Sequence, residues 1–185
     1  MHNQIKSDIS VKMDKTISVL KDNLQTIRAG KANPRILDKI TVEYYGSETP
    51  LKQLAGITVP EARMLQIQPY DATSIGDIER AILVSDLGLN PSNDGKVIRL
   101  IIPMLTEERR KELTKLIKKM GEESKVAVRN ERRHANDKLK KLQKDNDITE
   151  DDLKASEKEV QDMTDKHIAT IDELVKHKET EIMAV

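Results

Sequence analysis

Three long stretches of the chain repeat aliphatic residues at the three- and four-residue spacing of amphipathic helices. The first covers residues 3–29, the second covers residues 105–144, and the third follows Thr149. The apolar stripes comprise Ile5, Ile9, Met13, Ile17, Leu20, Leu24 and Ile27 in the first, Leu113, Ile117, Met120, Val128, Ala135, Leu139 and Leu142 in the second, and Leu153, Val160, Met163, His167, Ile171, Leu174 and Ile182 in the third. Because no helix can bury such a stripe alone, the pattern predicts an antiparallel three-helix bundle.

The ends of these helices are marked by residues with known end preferences. Gly30 is expected to end the first helix, because glycine is common just past a helix end, and Pro34 opposes its continuation. Thr106 and Thr149 are expected to cap the second and third helices, with acidic residues in each first turn. Gly121 lies inside the second helix at a cost of ~1 kcal/mol relative to alanine.

The middle of the chain has a different pattern, in which short runs of strand-forming residues are separated by turns. Strands are predicted at residues 40–45, 56–59, 64–68 and 97–102, and a helix at 73–85. Pro60 is expected to separate the second strand from the third. These short elements predict a small α/β domain.

The order of the elements predicts an α+β protein with two domains. Residues 1–30 and 105–185 form the discontinuous bundle, and residues 31–104 form the inserted small domain. The chain crosses between them twice, near Gly30–Pro34 and near Pro103–Leu105. Two short crossings favour a hinge over a rigid fusion.

The net charge is zero, with 32 basic and 32 acidic side chains, but the charges are segregated along the chain. Residues 105–144 carry 14 basic and 7 acidic side chains, net +7, and residues 145–185 carry 5 and 13, net −8. This segregation indicates one basic and one acidic surface. A simpler alternative is that the two long helices attract each other within the bundle.

A basic row lies beside the apolar stripe of the second long helix. Its members are Lys111, Lys115, Lys118, Lys125, Arg129, Arg132, Arg133, Asn136 and Lys140. Planar guanidinium groups bind phosphate bidentately, and the absence of Phe and Trp argues against single-strand binding by base stacking. The row therefore favours structured RNA or DNA, read by phosphate contact and shape. The alternative, neutralisation by Glu131, Asp137 and the acidic third helix, stays open.

No combination of residues in the sequence suggests a catalytic or metal centre. The four histidines, His2, His134, His167 and His177, lack the spacing of metal ligands, and the chain contains no Cys. We therefore expect a protein that is not an enzyme and that uses no cofactor. We also expect no signal peptide and no membrane span, because no apolar run is long enough for either.

Tyr44 and Tyr45 are neighbours in the first predicted strand. Adjacent strand residues point to opposite faces, so at most one of the two rings is comfortably buried. The other ring is either a contact for a partner or an ordinary surface side chain, and the sequence is compatible with both interpretations.

Five motifs, taken together, resemble the bacterial ribosome recycling factor family. They are RAGKANP at 28–34, VEYYG at 42–46, SDLGLNP at 85–91, LTEERRKEL at 105–113 and VRNERRHAN at 128–136. The resemblance covers essentially the whole chain, with the motifs in order. The sequence departs from the family pattern at Lys31, Asn33 and His134. Lys31 keeps the charge of the usual arginine but lacks its bidentate fork.

The resemblance implies an L-shaped protein with the bundle as its long arm and the small domain as its short arm. It implies a translation factor that binds the ribosome after termination. Together with elongation factor G, which hydrolyses GTP, such a factor splits the ribosome into subunits for reuse. The small domain would swing about the hinge and meet the elongation factor. We expect a cytoplasmic monomer without a membrane partner. The alternative function is a helical-bundle adaptor that binds a protein partner.

The predicted site residues are of two kinds. In the family, conserved arginines of the bundle contact large-subunit ribosomal RNA. The motif match assigns this role to Arg129, Arg132 and Arg133 in this chain, with Arg28 as a further candidate. The full predicted RNA-binding set is Arg28, Lys125, Arg129, Arg132, Arg133, Asn136 and Lys140. The predicted hinge residues are Gly30, Lys31, Ala32, Pro103, Met104 and Leu105.

Overall fold

The structure is a computed structural model that describes residues 2–27 and 30–184. The described residues form two compact units, one within Met1–Ile27 and Glu107–Val185 and the other within Arg28–Thr106. Of the predicted site residues, Arg28 lies outside the described part of the chain. Within that part, no helix is long and apolar enough to cross a membrane.

The elements of both units follow the predicted α+β class, which the structure confirms. The helices are α1 (His2–Gln25), α2 (Leu51–Leu54), α3 (Ile75–Val84), α4 (Glu107–Lys144) and α5 (Glu150–Met183), with short 3-10 helices at Pro34–Leu37 and Ala72–Ser74. The strands are β1 (Thr41–Tyr44), β2 (Ser47–Pro50), β3 (Ala55–Glu61), β4 (Met64–Pro69), β5 (Pro91–Asn93) and β6 (Ile98–Ile101).

The helices α1, α4 and α5 pack along the apolar stripes that the periodicity predicts. Met13 of α1, Ile117 and Leu139 of α4, and Val160 and Ile171 of α5 are fully buried. Each such side chain contributes roughly 1.5–3 kcal/mol by leaving water, so the stripes hold the bundle together. Polar contacts also join each pair of helices: Thr16 donates to Glu131 at 3.0 Å, Lys6 pairs with Glu159 at 2.6 Å, and Lys125 pairs with Asp172.

The helix α1 ends at Gln25, before the predicted end at residue 29, and Gly30 does not terminate it directly. The backbone N–H groups of Thr26 and Ile27 donate to carbonyl groups three residues earlier, each at 3.2 Å. The Thr26 hydroxyl also donates to the Asn23 carbonyl, at 2.6 Å. A side chain that bonds the helix's own carbonyl competes with the next α-helical turn. Ile27 is still buried, which explains why the apolar periodicity extends past the helix.

The predicted cap of α5 is confirmed. The Thr149 hydroxyl accepts from the backbone N–H of Asp152 at 3.0 Å, and the Asp152 carboxylate accepts from the backbone N–H of Thr149 at 3.1 Å. The Thr149 backbone N–H, followed by its hydroxyl, lowers the pKa of Asp152. At the other long helix, α4 begins at Glu107, so Thr106 occupies the position just before the first helical residue.

The small unit contains two antiparallel sheets. One is the β1–β2 hairpin, and the other has the strand order β3-β4-β6-β5. Its core is built from sheet residues such as Leu65, Ile67 and Ile98 together with Ile78 and Ile82 of α3, all fully buried. The helix therefore closes one face of the antiparallel sheet.

The prediction that Pro60 separates two strands is wrong, because Pro60 lies inside β3. The strand is at the edge of its sheet, where a residue without an N–H group leaves no ladder partner unsatisfied. The register with β4 shifts between Thr58 and Glu61, which is a β-bulge around the proline. The turn to β4 instead uses Ala62 and Arg63.

Four short elements were not predicted from the sequence: the 3-10 helix Pro34–Leu37, α2, β2 and β5. The strands β2 and β5 have the sequences SETP and PSN, which contain few strand-forming residues. Each becomes a strand because it pairs antiparallel with a neighbouring strand: β2 pairs with β1, and β5 pairs with β6. The paired strands are neighbours in the chain and are joined by short turns, so each strand could be inferred only from its hairpin and not from its own residues.

Candidate nucleic-acid interface

The orientation of α4 is set by its buried stripe, which includes Leu113, Ile117, Val128, Ala135 and Leu139. At ~100° per residue the basic row lies on one flank of that stripe. The structure leaves Lys111, Lys115, Lys118, Arg133 and Lys140 exposed, and it half-buries Lys125, Arg129, Arg132 and Asn136. The row therefore lies at the bundle surface, with some members exposed and others half-buried.

The three arginines of the row have no carboxylate partner among the described residues. Arg132 donates from Nη1 to Oε1 of Gln161 on α5 at 3.3 Å, and Arg133 donates from Nη1 to Oδ1 of Asn130 at 3.3 Å. Arg129 forms neither a hydrogen bond nor an ion pair within residues 2–27 and 30–184. Neutral amide oxygens orient a guanidinium group without cancelling its charge, so these three cations can still bind an anion.

Lys125 differs from the arginines because it is paired inside the bundle. Its Nζ bonds to the Asp172 carboxylate of α5 and lies 3.4 Å from Oε1 of Glu122 on its own helix. The Asp172 carboxylate is the main cause that raises the pKa of Lys125. The structure thus gives Lys125 a role in joining α4 to α5, and its predicted contact with RNA stays a prediction.

Asn136 and Lys140 continue the row toward the end of α4. The Oδ1 atom of Asn136 is buried and has no hydrogen-bond partner in the described structure, so this oxygen does not face an external ligand. Lys140 is exposed. Of the two, Lys140 has the better position for a phosphate contact.

The acidic helix α5 does not pair directly with the arginines. Its Glu159 pairs with Lys6 of α1 at 2.6 Å, and its Asp172 pairs with Lys125. Internal neutralisation, the alternative left open by the sequence, therefore applies to Lys125. It does not apply by direct contact to the arginines, as far as the described residues go.

One residue outside the predicted set positions the row. Oε1 of Gln161 accepts from Arg132, and Nε2 of Gln161 donates to Oδ1 of Asp165 at 2.8 Å. The second bond fixes which end of the amide faces the arginine. The spacing of four residues between Gln161 and Asp165 was a sequence signal for this pair, but nothing local connects it to Arg132.

The two predicted crossings lie side by side in the small unit. A Cβ atom added at Gly30 would lie 3.5 Å from Cγ of Leu105 and 3.8 Å from the carbonyl oxygen of Pro103. Gly30 has φ of +75°, a conformation that other residues adopt only with strain. Gly30 thus turns the chain where the two crossings touch.

Both crossings are anchored to the same turn. The N–H of Ala32 donates to the Ala62 carbonyl at 2.8 Å, and the N–H of Ile102 donates to the Arg63 carbonyl at 2.7 Å. Ala32 is therefore tied to the β3–β4 turn. The remaining predicted hinge residues lie outside these two anchors: Gly30, Lys31, Pro103, Met104 and Leu105.

Relatives of the whole chain are found among known proteins. A model of the ribosome recycling factor family matches residues 20–183. The ribosome-recycling factor of Alkaliphilus oremlandii is 62% identical to this chain and that of Bacillus subtilis (strain 168) is 60% identical. Each comparison covers 185 residues, which is 100% of both chains.

Solved structures give the same result. A solution structure of the ribosome recycling factor aligns with a TM-score of 0.81 and 40% identity, covering 100% of this chain and 98% of the other. A second match is the T. thermophilus ribosome recycling factor, from models in which it and the E. coli elongation factor G are bound to the E. coli post-termination complex. It aligns with a TM-score of 0.64 and 45% identity, covering 100% of both chains. The chain belongs to the ribosome recycling factor family.

Proposed function

We propose that this protein binds the post-termination ribosome through ribosomal RNA and, with elongation factor G and GTP, splits the ribosome into subunits. Membership of the family supports the ribosome as its target, and the T. thermophilus homologue in complex supports elongation factor G as its partner. The observation on this chain that carries the proposal is the set of α4 arginines without carboxylate partners. Its place of action is then the cytoplasm.

The arginine row suits a ribosomal RNA helix for electrostatic reasons. A guanidinium group can donate two parallel hydrogen bonds to one phosphate, and Arg129 has its whole fork available within the described structure. Arg132 uses one nitrogen on Gln161 and keeps its other donors. Each phosphate contact releases counterions, so binding through this row has to weaken as salt rises.

In this proposal the elongation factor hydrolyses GTP, and this chain acts as a lever. The five hinge residues outside the anchors at Ala32 and Ile102 connect the small unit to the bundle. When the bundle is held on RNA, movement at these residues changes the position of the small unit. In this proposal the small unit is the part that the elongation factor pushes.

The RNA contact is tested by measuring ribosome binding of Arg129→Ala across a salt series. Loss of one charge-assisted contact is expected to weaken binding roughly tenfold or more. The slope of log affinity against log salt is expected to fall by about one, as for one lost phosphate contact. Circular dichroism is expected to show an unchanged bundle, because Arg129 makes no bond inside the described structure.

Lys138→Ala is the matched control. Lys138 lies nine residues further along α4, about 180° around the axis at ~100° per residue, where it borders a shallow groove with Ile9. This variant also removes one positive charge from α4, but it is expected to bind like the wild type. Equal losses in the two variants would mean that net charge alone matters. Salt-insensitive binding by the wild type would favour the adaptor function instead.

The hinge is tested by cross-linking its two crossings. The chain has no Cys, so a Lys31→Cys, Met104→Cys double variant can be joined specifically with a short bis-maleimide. The cross-linked protein is expected to bind ribosomes normally but to split them more slowly than the same variant before cross-linking. If the cross-linked protein splits ribosomes at the original rate, the hypothesis that the hinge acts as a lever is wrong. The hypothesis that the arginines bind RNA is not affected by that result.

A further inference from the structure

The chain contains three tyrosines and neither Phe nor Trp, and one of these tyrosines bonds to the Asp71 carboxylate. The Tyr44 hydroxyl donates to Oδ2 of Asp71 at 2.9 Å. The rings of Tyr44 and Tyr45 pack edge to face, with centroids 4.6 Å apart. Tyr70 directly precedes Asp71, and 75% of its surface is exposed. Two of the three tyrosines are therefore in direct ring contact.

The position of Tyr45 weakens the hairpin that carries it. Tyr45 and Gly46 form the two-residue turn between β1 and β2, with φ of +49° and +79°. Such a turn prefers Asn-Gly, because a bulky residue at positive φ is strained. Tyr45 is 84% exposed, so burial does not offset this strain. The stability of the fold therefore does not explain a tyrosine here.

The ring is nevertheless held on a firm support. Oδ1 of Asp71 accepts from the backbone N–H of Thr73 at 2.9 Å and from its hydroxyl at 2.6 Å, while Oδ2 holds Tyr44. Three hydrogen bonds lower the pKa of Asp71 and keep it ionised. The largest effect comes from the Thr73 hydroxyl, followed by the Thr73 N–H and then by Tyr44. Tyr44 in turn supports the ring of Tyr45. An exposed aromatic ring that is already positioned loses little entropy on binding, as at interface hot spots.

The charges on the hairpin indicate what kind of partner it takes. Glu43 and Glu48 lie directly opposite each other across the strands, and both are exposed. Like charges at such positions repel and weaken the hairpin. Residues 41–50 contain no Lys, Arg or His. This surface repels phosphate groups, whereas its carboxylates and tyrosine rings both attract guanidinium and ammonium groups.

We propose that the tyrosine hairpin, defined as residues 41–50, docks onto a protein surface that presents arginine and lysine side chains. The inference rests on the proposed function, because it places that partner within the ribosomal complex. The Tyr45 ring covers a guanidinium group, and Glu43 and Glu48 pair with neighbouring cations. The bundle thus binds RNA, and the hairpin binds protein.

Two substitutions separate docking from folding. Tyr45→Asn removes the ring and supplies the residue that the turn prefers, so we expect equal or higher thermal stability but at least a roughly tenfold slower splitting rate below saturation. Glu48→Lys replaces the repulsion with Glu43 by attraction, so it is expected to stabilise the hairpin and again slow splitting. Tyr45→Phe keeps the ring and serves as the matched control with near-normal splitting. A merely structural role would predict the opposite direction for the first two variants.

The partner is identified by photo-cross-linking. The full chain carrying p-benzoylphenylalanine in place of Tyr45 is irradiated on post-termination ribosomes with elongation factor G and a non-hydrolysable GTP analogue. We expect a protease-sensitive, nuclease-resistant product whose cross-linked peptide is rich in Arg and Lys. Cross-linking to RNA, to a second copy of this chain or to an acidic peptide, or absence of a product, overturns the proposal.

Failure of this inference is distinguishable from failure of the proposed function. If only the inference is wrong, the wild type still binds ribosomes in a salt-sensitive manner and Tyr45→Asn splits them at the wild-type rate. If the proposed function is wrong, the wild type itself neither binds in that manner nor splits ribosomes with elongation factor G and GTP.

Discussion

Gly121 of α4 faces Val175 of α5 so closely that a Cβ atom added at Gly121 would lie 2.6 Å from Cγ2 of Val175. Real Cβ atoms essentially never come that near, so the two helices approach more closely here than alanine would permit. A glycine inside a helix costs ~1 kcal/mol relative to alanine. The close helix contact gives a physical reason for a glycine at this position.

We predict that Gly121→Ala destabilises the bundle despite its better helix propensity. Overpacking a tight contact typically costs 1–3 kcal/mol, and the propensity gain returns ~1 kcal/mol, so the net loss is up to about 2 kcal/mol. Urea unfolding followed by far-ultraviolet circular dichroism measures this loss, because α1, α4 and α5 contain most of the helical residues. Val175→Ala supplies the control background, in which the clash is absent and Gly121→Ala is expected to stabilise by about 1 kcal/mol. The same sign in both backgrounds would contradict the account.

Lys125 is predicted to matter for the bundle rather than for RNA. Lys125→Gln removes the pair with Asp172 and is expected to lower the free energy of unfolding by about 1 kcal/mol or less, as for a partly exposed ion pair. The salt slope of ribosome binding is expected to stay at the wild-type value. Arg129→Ala is the converse comparison, with unchanged stability and a reduced slope. A reduced slope for Lys125→Gln would show that this lysine does reach phosphate.

The small unit is predicted to lose stability in acid through Asp94. The backbone N–H groups of Val97 and Lys96, followed by Arg99, lower the pKa of Asp94 from 3.8 to about 2. A carboxyl group with a depressed pKa contributes stability that is fully present above its unfolded pKa and is lost as pH falls through its folded pKa. That contribution therefore disappears between about pH 4 and about pH 2.

Tyrosine fluorescence checks this prediction, because all three tyrosines belong to the small unit. Asp94→Asn is expected to lower the urea midpoint of the fluorescence change at pH 7 and to have little effect near pH 2. The far-ultraviolet circular dichroism of the bundle serves as the internal control. Equal effects of the substitution at both pH values would be inconsistent with the bonds at Asp94.

Gly30→Ala is predicted to impair ribosome splitting. At φ of +75° an alanine is strained by roughly 1–2 kcal/mol, whereas its Cβ would make only ordinary contact with Leu105 at 3.5 Å. Gly88→Ala imposes the same kind of strain at φ of +67°, with no other atom within 4 Å. Both variants are expected to lose similar stability by tyrosine fluorescence, but only Gly30→Ala is expected to slow splitting. If Gly88→Ala slows splitting equally, the crossing at Gly30 has no special role in ribosome splitting.

Local sequence predicted the elements that bury long, regular stripes. The periodicity of α4 and α5 and the Thr149 cap are readable because each depends on residues a few positions apart. The same reasoning failed at the end of α1, where Thr26 bonds the Asn23 carbonyl while the apolar spacing continues to Ile27. It also failed for β2 and β5, whose own sequences contain few strand-forming residues and which become strands by pairing with the neighbouring strands β1 and β6.

The sequence by itself determined that α4 carries a basic row beside an apolar stripe, since both follow from the angle between successive helical residues. Only the tertiary structure decided which members of that row keep a free charge. Lys125 and Arg129 are four residues apart on the same helix, yet Asp172 pairs with Lys125, and Arg129 has no bonded partner in the described chain. The partner lies 47 positions away in sequence, and only the packing of α5 against α4 brings it into contact.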